Sequence, residues 1–308
     1  MKRVLCLLLI LLLLSGCAWQ KPEQTDFWAM DTYMNVKLWG KDATKAMEQI
    51  KQMIAELEHV WSPTDDTSFL TALNTGIADI SAQQAVLDKA LALSGRTGGA
   101  FDPQLHSVIS LWGFLSETHC VPTGDQIEKA LGQKLWNLGA VLKGYAGQEA
   151  ANLLETLDVS RGILNLGGNI QTYGQKADGS PWQIAIQNPV GGDPVGVISI
   201  TGTASVVTSG GYQRYFEEDG VRYHHILDPE TGYPADSGLS SVTVICRDGM
   251  TADALSTALY VMGLEQGADF WRQSDDFEAV WVLSSGKIYA TDGVMLSGCE
   301  FEVICREN

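Results

Sequence analysis

The hydrophobic pattern of this chain changes period near residue 160, and that change limits the folds open to it. Before it, apolar residues fall at 43, 46, 47, 50, 53, 54, 57, 60 and 61, the spacing of one helix face, and the run stops at Trp61-Ser62-Pro63. Ser81-Ala82-Gln83-Gln84 has the form of a capping box opening a second helix that stops near Gly95. Thr123-Gly124-Asp125-Gln126 repeats the signature for a short third helix, and residues 145–157 read as a fourth. Met34, Val36 and Leu38 alternate with Asn35 and Lys37 as an early strand. After the change the chain is β-rich. Ile163–Leu166 enters a glycine turn, and Trp182–Ile186, Val195–Ile200 and Val242–Cys246 read as strands. Tyr212–Phe216 and Val221–His225 flank the hairpin signal Glu217-Glu218-Asp219-Gly220. Ala279–Leu283 with Ile288–Ala290 form another hairpin, and Phe301–Ile304 closes the chain. Thr251 is placed to cap a late helix that carries Asp253 and Thr257. Helices early and hairpins late imply an α+β fold, with mostly antiparallel sheets and flanking helices. No Pro-rich linker follows residue 27, so one compact unit is expected, with room for two lobes.

The first 17 residues read as a processing signal. Lys2 and Arg3 precede an 11-residue apolar run, Val4–Leu14, too short to span a bilayer as a helix. It ends in Leu14-Ser15-Gly16-Cys17, which resembles a bacterial lipoprotein lipobox, with cleavage before Cys17 and acylation of that residue. The plainer reading is an ordinary secretory signal in which Cys17 is incidental. The lipobox reading places the chain outside the cytoplasm, lipid-anchored to a bacterial membrane on its extracytoplasmic face. Residues 18–26 then form a polar tether, and residues 27–308 the functional domain.

Formal charge is −17, and loss of Lys2 and Arg3 takes it to −19. So acidic a chain argues against nucleic acid and against a broad electrostatic grip on anionic lipid. A phosphate ligand must be held locally, by a metal, backbone amides or a single basic side chain. Beyond the signal, Cys120, Cys246, Cys299 and Cys305 remain, and Cys299 with Cys305 is the pair that proximity suggests in an exported protein. Cys246, inside an apolar strand, reads as a buried thiol. No C-x-x-C spacing occurs, so zinc and iron–sulfur sites are not expected.

Five segments carry chemistry. His224-His225-Ile226-Leu227-Asp228-Pro229 places two histidines at the entry to a rigid turn, and in a strand only one can face a cleft. His225 is the candidate proton acceptor, or else a structural histidine bonded near Asp228. Asp253 and Thr257 stand at i and i+4 on one helix face, two hard oxygens suited to Mg²⁺, or else a helix-start carboxylate and its neighbour. Asn137-Leu138-Gly139-Ala140-Val141-Leu142-Lys143-Gly144-Tyr145 is a glycine-punctuated loop entering a helix. Lys143 at that helix start suits a phosphate, or is a solvated surface lysine. Asn165-Leu166-Gly167-Gly168-Asn169 and Thr208-Ser209-Gly210-Gly211-Tyr212 are two further glycine turns that could line the same cleft.

These pieces occur in the order found in the ApbE family, the FAD:protein FMN transferases, which the chain resembles over essentially its whole length after the signal. The matching blocks are Met30-Asp31-Thr32, Ser62 to Asn74, Gly99-Ala100-Phe101-Asp102-Pro103, the Leu-Gly-x-x-x-Lys-Gly-Tyr loop at 138–145 and Asn165-Leu166-Gly167-Gly168. Thr208-Ser209-Gly210, His225-Ile226-Leu227-Asp228-Pro229 with Thr231-Gly232-Tyr233-Pro234, and Ala252-Asp253-Ala254-Leu255-Ser256-Thr257 complete them. The resemblance implies an enzyme that binds FAD and Mg²⁺, transfers FMN to a threonine hydroxyl of a target flavoprotein such as a membrane redox subunit, and releases AMP. It implies a metal held by the Ala140 carbonyl and the side chains of Asp253 and Thr257. Lys143 would meet the phosphates or ribityl chain of the nucleotide. Met30, Phe69, Ala100, Phe101, Asp102, Asn137 and Ile226 fall where the family contacts FAD, and His225 is the expected base. The chain departs from the family pattern at Asn137, where many members carry Asp, at Asn169, where Asp is usual, and at Met250, which is acidic in some members. Two other outcomes use the same residues: an FAD pyrophosphatase in which water replaces threonine, and a lipoprotein that carries FAD without chemistry.

Overall fold

The computed structural model describes residues 21–116 and 118–306. The signal, Cys17 and its expected acylation lie outside the described residues. Among the described residues, no helix is long and apolar enough to cross a membrane.

With elements numbered along the chain, a nine-stranded sheet runs in the order β1 (Glu23–Ala29), β2 (Thr32–Gly40), β3 (Val159–Leu166), β4 (Asn169–Tyr173), β7 (Ala204–Gly210), β10 (Leu239–Cys246), β11 (Phe277–Leu283), β12 (Ile288–Thr291), β14 (Glu302–Ile304). Its pairings are antiparallel except the last, where β14 lies parallel to β12. A three-stranded sheet, β13 (Leu296–Ser297), β6 (Gly196–Ile200), β5 (Trp182–Ile186), covers one face. Its Trp182, Ile184, Ile186, Ile198 and Ile200 pack on Val206, Val280, Val282 and Ala290 of the large sheet. Successive side chains of a strand point to opposite faces. Accordingly Val207, Val242, Val244, Ala279 and Trp281 face the other way, onto helix α7 (Gly249–Arg272).

Helices α1 (Ala43–Trp61) and α6 (Leu142–Glu155) cover the β2–β3 end of that same helical face. Helix α1 buries Ala43, Ala46, Met47, Ile50, Ile54 and Trp61, the expected stripe, and burial of Ile50 or Ile54 contributes about 1.5–3 kcal/mol each. It stops where Ser62 turns extended at ψ 126°, as a residue before proline must. A third cluster joins Trp61, Leu70 of α2 (Phe69–Asn74), Leu87 and Leu93 of α3 (Gln84–Arg96), Phe101, Leu138 and Met250. Helices α4 (His106–Leu111) and α5 (Gly124–Leu131) form a satellite core. The separate hairpin of β8 (Tyr215–Glu218) and β9 (Val221–His224) packs Phe216 and Tyr223 on it.

The α+β class holds. One continuous sheet underlies the helical clusters, so the two lobes left open by the sequence are two ends of one layer. Several local expectations change. Strand β1 begins at Glu23, inside the stretch 18–26 expected as a polar tether. The Thr123–Gln126 capping box forms with both of its bonds, but the helix after Ser81 starts at Gln84 with no side-chain cap. Asp248, not Thr251, caps α7 by accepting the Thr251 N–H at 2.8 Å. Cys299 and Cys305 are free thiols, and Cys246 is the buried strand thiol expected.

Candidate active site

The site forms where the first turns of α6 and α7 cross. The two backbones touch at Gly144 and Gly249. A methyl group on either would overlap the carbonyl oxygen of the other, so no larger residue fits this crossing. The closeness places Asp253 over the start of α6, where the Gly144 N–H donates to its Oδ2 at 2.8 Å. With Val141 as N-cap, the Gly144 N–H is one of the helix-start donors that have no partner within the helix, and Asp253 satisfies it. The Ala140 carbonyl is left without a backbone donor among the described residues. The helix-start reading of Asp253 is therefore overturned: Asp248 does the capping, and Asp253 reaches across to another helix.

Asp253 is buried, and burial pushes its carboxyl above the usual range, opposed by the charge of Lys143, the Gly144 N–H and the Asn169 amide. Asn169 opens β4 and is itself buried; its Nδ2 faces this carboxylate without a bond of full geometry, and no other partner takes it. One turn further along α7, Thr257 Oγ1 lies 3.4 Å from Ser209 Oγ, which also bonds Ser256 Oγ at 2.8 Å. Ser209 belongs to strand β7 rather than to the glycine turn expected at 208–212, and the reversal follows at Gly211. The turn at Gly167-Gly168 forms as expected, both glycines at positive φ, with the Gly168 N–H bonded to Asn165 Oδ1 at 2.9 Å.

His224 and His225 point apart, as alternation requires. The ring of His224 packs against Tyr260 of α7, and its Nε2 meets the Ala235 carbonyl at 3.1 Å. His225 is half-buried on the other side, and its Nδ1 meets the Arg214 carbonyl at 3.1 Å. A carbonyl only accepts, so Nδ1 carries the proton and Nε2 of the neutral ring holds a free lone pair. Burial pushes the His225 pKa down to about 3, helped by the charges of Arg214 and Lys143, with the Arg214 carbonyl opposing. Solvent still reaches the ring, so the direction carries the weight: His225 is neutral near neutral pH.

Lys143 is thus the common neighbour, acting on both Asp253 and His225. It sits inside the first turn of α6, which begins three residues earlier than expected. The apolar residues expected to contact the nucleotide fall in two core clusters. Met30, Phe69, Ala100 and Ala140 pack on the cluster that holds Phe101 and Leu138. Within it, Phe69 meets Trp61 edge-to-face at 5.3 Å. Phe101 is 1% exposed, so its side chain is core. Asp102 is engaged by Lys134 at 3.0 Å, and Asn137 Oδ1 by the Gly139 N–H at 2.9 Å. Ile226 is buried in the cluster under α7.

Three supporting residues escaped the sequence reading. Gly249 reads as an ordinary helix start. Glu58 accepts the Met30 N–H at 2.7 Å, a pairing with no local signal. Arg214 shows no motif at all.

Among the described residues, no cluster of three His, Cys, Asp or Glu could hold a metal. The donor set is one carboxylate with neutral oxygens. That suits Mg²⁺, which takes oxygen ligands and keeps waters, and does not suit zinc. The Ala140 carbonyl, which no backbone N–H bonds among the described residues, is the third oxygen expected of that set.

The sequence pattern of the ApbE family matches residues 30–281. The chain belongs to the ApbE family. A Treponema pallidum protein named FAD:protein FMN transferase is 31% identical, over 86% of this chain and 85% of its own length. A Vibrio cholerae protein of the same name is 33% identical, over 87% and 90%. Among solved structures, the ApbE protein of Thermotoga maritima superposes with a TM-score of 0.82 at 31% identity, covering 88% of this chain and 97% of that one. The flavin transferase ApbE of Vibrio cholerae gives 0.77 at 27%, over 88% and 98%. This ApbE member therefore shares the fold of those relatives across nearly its whole described length.

Proposed function

We propose that this chain transfers FMN from FAD to a threonine hydroxyl of a partner flavoprotein, with Mg²⁺ held by the Ala140 carbonyl, Asp253 and Thr257. The coarser statement, that it is an FAD:protein FMN transferase, comes with membership of the family and the relatives of that name. The observation that supports the finer reading is the Gly144–Asp253 bond, which holds a buried carboxylate over the start of α6, just after an Ala140 carbonyl that no backbone N–H bonds among the described residues.

In this reading the threonine oxygen attacks the FMN phosphorus. The bond from that phosphorus to the bridging oxygen breaks, and AMP leaves with the electron pair. His225 Nε2 takes the hydroxyl proton, because Nδ1 is already committed to the Arg214 carbonyl. A base with so depressed a pKa is weak in the empty site. Burial is the larger cause of that depression, and a pyrophosphate bound beside Lys143 offsets the part due to the lysine charge. Lys143 orients the phosphates. When bound, Mg²⁺ supplies neutralisation of the charge that develops on the phosphate oxygens.

The proposal extends to location: a lipid anchor at Cys17 holds the domain on the extracytoplasmic face of a bacterial membrane. Mass analysis of the membrane-extracted protein would show an acylated N-terminal Cys17, and an unmodified N-terminus would remove the anchor. Activity is tested by incubating the protein with FAD, Mg²⁺ and a threonine-bearing acceptor. Intact mass should show FMN added to the acceptor, with AMP in solution and loss of both on chelation. AMP and free FMN without an adduct would make the chain an FAD pyrophosphatase.

A further inference from the structure

Arg214 precedes β8 and touches His225 in two ways. Its carbonyl oxygen accepts the His225 amide N–H at 3.1 Å, and the ring Nδ1–H at 3.1 Å. Backbone and ring of His225 are therefore referred to one atom. The side chain of Arg214 runs elsewhere: Nη2 donates to the Phe114 carbonyl at 2.7 Å. That carbonyl sits on a braced loop. Gly113 takes φ 79°, the His119 ring bonds the Gly113 carbonyl at 3.0 Å, and the same ring stacks on Phe216 at 5.0 Å. Phe216 stacks in turn on Tyr223 at 5.3 Å, and the Phe114 ring stands edge-on to His225 at 6.5 Å. The charged or titratable groups facing His225 are Arg214, Lys143 from α6 and His224 from β9.

A second arginine of the same hairpin differs. Arg222 pairs with Glu217 at 3.1 Å and lies over the Tyr215 ring at 4.1 Å, on the exposed outer side. It touches neither His225 nor the loop at Phe114, and so provides a control of equal charge.

We infer that Arg214 is a positioning residue for the transfer reaction: its carbonyl fixes the tautomer of His225, and its guanidinium, docked on the Phe114 carbonyl, keeps that carbonyl in place. The inference rests on His225 acting as the base, as proposed above. Removing the guanidinium takes away the polar tie between hairpin and loop and leaves the Phe216–His119 stack. The Arg214 carbonyl, no longer anchored by its own side chain, then holds the ring less tightly, and Nε2 is protonated in part of the population. A proton acceptor held loosely costs rate rather than affinity.

The test compares Arg214→Met, Arg214→Lys and Arg222→Met in the full chain. Imidazole ¹⁵N spectra report the tautomer and titration of His225 without requiring activity. Wild type should show Nδ1–H alone, and Arg214→Met should show mixed tautomers with the titration moved to higher pH. In FMN transfer, Arg214→Met should lower kcat by roughly tenfold or more, with KM for FAD within about twofold. Arg214→Lys keeps a cation and a donor, and should restore the single tautomer and most of kcat. Arg222→Met should match wild type. An unchanged tautomer with unchanged kcat in Arg214→Met would overturn the inference, as would an equal loss in Arg222→Met. Wild type that transfers no FMN would instead count against His225 as base in a transferase, while the spectra would still decide whether Arg214 orients the ring.

Discussion

The Gly144 N–H and the Asp253 carboxylate are joined by a 2.8 Å hydrogen bond across two helices, and the rest of the site is arranged around it. It exists because α6 and α7 meet glycine to glycine. A methyl group at residue 144 would overlap the Gly249 carbonyl and approach Asp253 Cβ at 2.7 Å. Gly144→Ala should therefore destabilise the protein by about 1–3 kcal/mol, the usual cost of overpacking, and abolish Mg²⁺-dependent transfer. Thermal denaturation and an adduct assay check both halves.

Asp253→Asn separates charge from shape. The amide oxygen can still accept the Gly144 N–H, while the buried charge is gone. Transfer should fall by roughly 10²-fold or more, with a melting temperature no lower than wild type. Mg²⁺-dependent turnover at the wild-type rate would show that the cation is held elsewhere.

Asn169→Asp restores a carboxylate beside Asp253, at a position where its relatives by resemblance carry one. Two buried carboxylates repel until a cation joins them. The metal-free variant should melt below wild type, and its melting temperature should rise more steeply with Mg²⁺. A variant as stable as wild type without Mg²⁺ would mean that Asn169 does not face the site.

The pH dependence of stability follows from His225. Its folded pKa is pushed down to about 3, below the ordinary imidazole value, so the unfolded chain binds more protons between the two. The group therefore costs nothing above its unfolded pKa, and destabilises the fold progressively as pH falls from there toward the folded value. In urea titrations His225→Gln should gain stability relative to wild type on acidification and show a constant difference above neutrality. The same difference at every pH would contradict the neutral, buried ring.

The turn between β1 and β2 carries non-glycine residues in the left-handed region, Met30 at φ 50° and Asp31 at φ 55°. Asp31→Gly should stabilise the protein by roughly 1 kcal/mol, since Asp31 bears that strain without burying its side chain. Denaturant midpoints measure this directly.

The early helices and late hairpins were legible because their patterns are local. Strand β7 was not, since Ala204–Val207 are buried one after another and show no alternation. Strand β1 was missed for the opposite reason: as a polar edge strand, Glu23–Ala29 looks like a tether. His225, Asp253, Thr257 and Lys143 stood out by residue type and by resemblance. What holds them did not, because it depends on pairs far apart in the chain. Gly144 with Gly249, Met30 with Glu58 and Arg214 with Phe114 have no spacing a sequence could reveal. Asn137 and Asp102 read as ligands but spend their side chains on the Gly139 N–H and Lys134.

The most direct measurement is an anomalous difference map from crystals of the protein grown with FAD and Mn²⁺, a heavier stand-in for Mg²⁺. The expected result is one strong peak about 2.0–2.3 Å from the Ala140 carbonyl oxygen, an Asp253 carboxylate oxygen and Thr257 Oγ1, abolished in Asp253→Asn. A peak away from these three oxygens, or FAD bound in full with no peak at all, would contradict the assignment of the Gly144–Asp253 bond as the builder of the metal site.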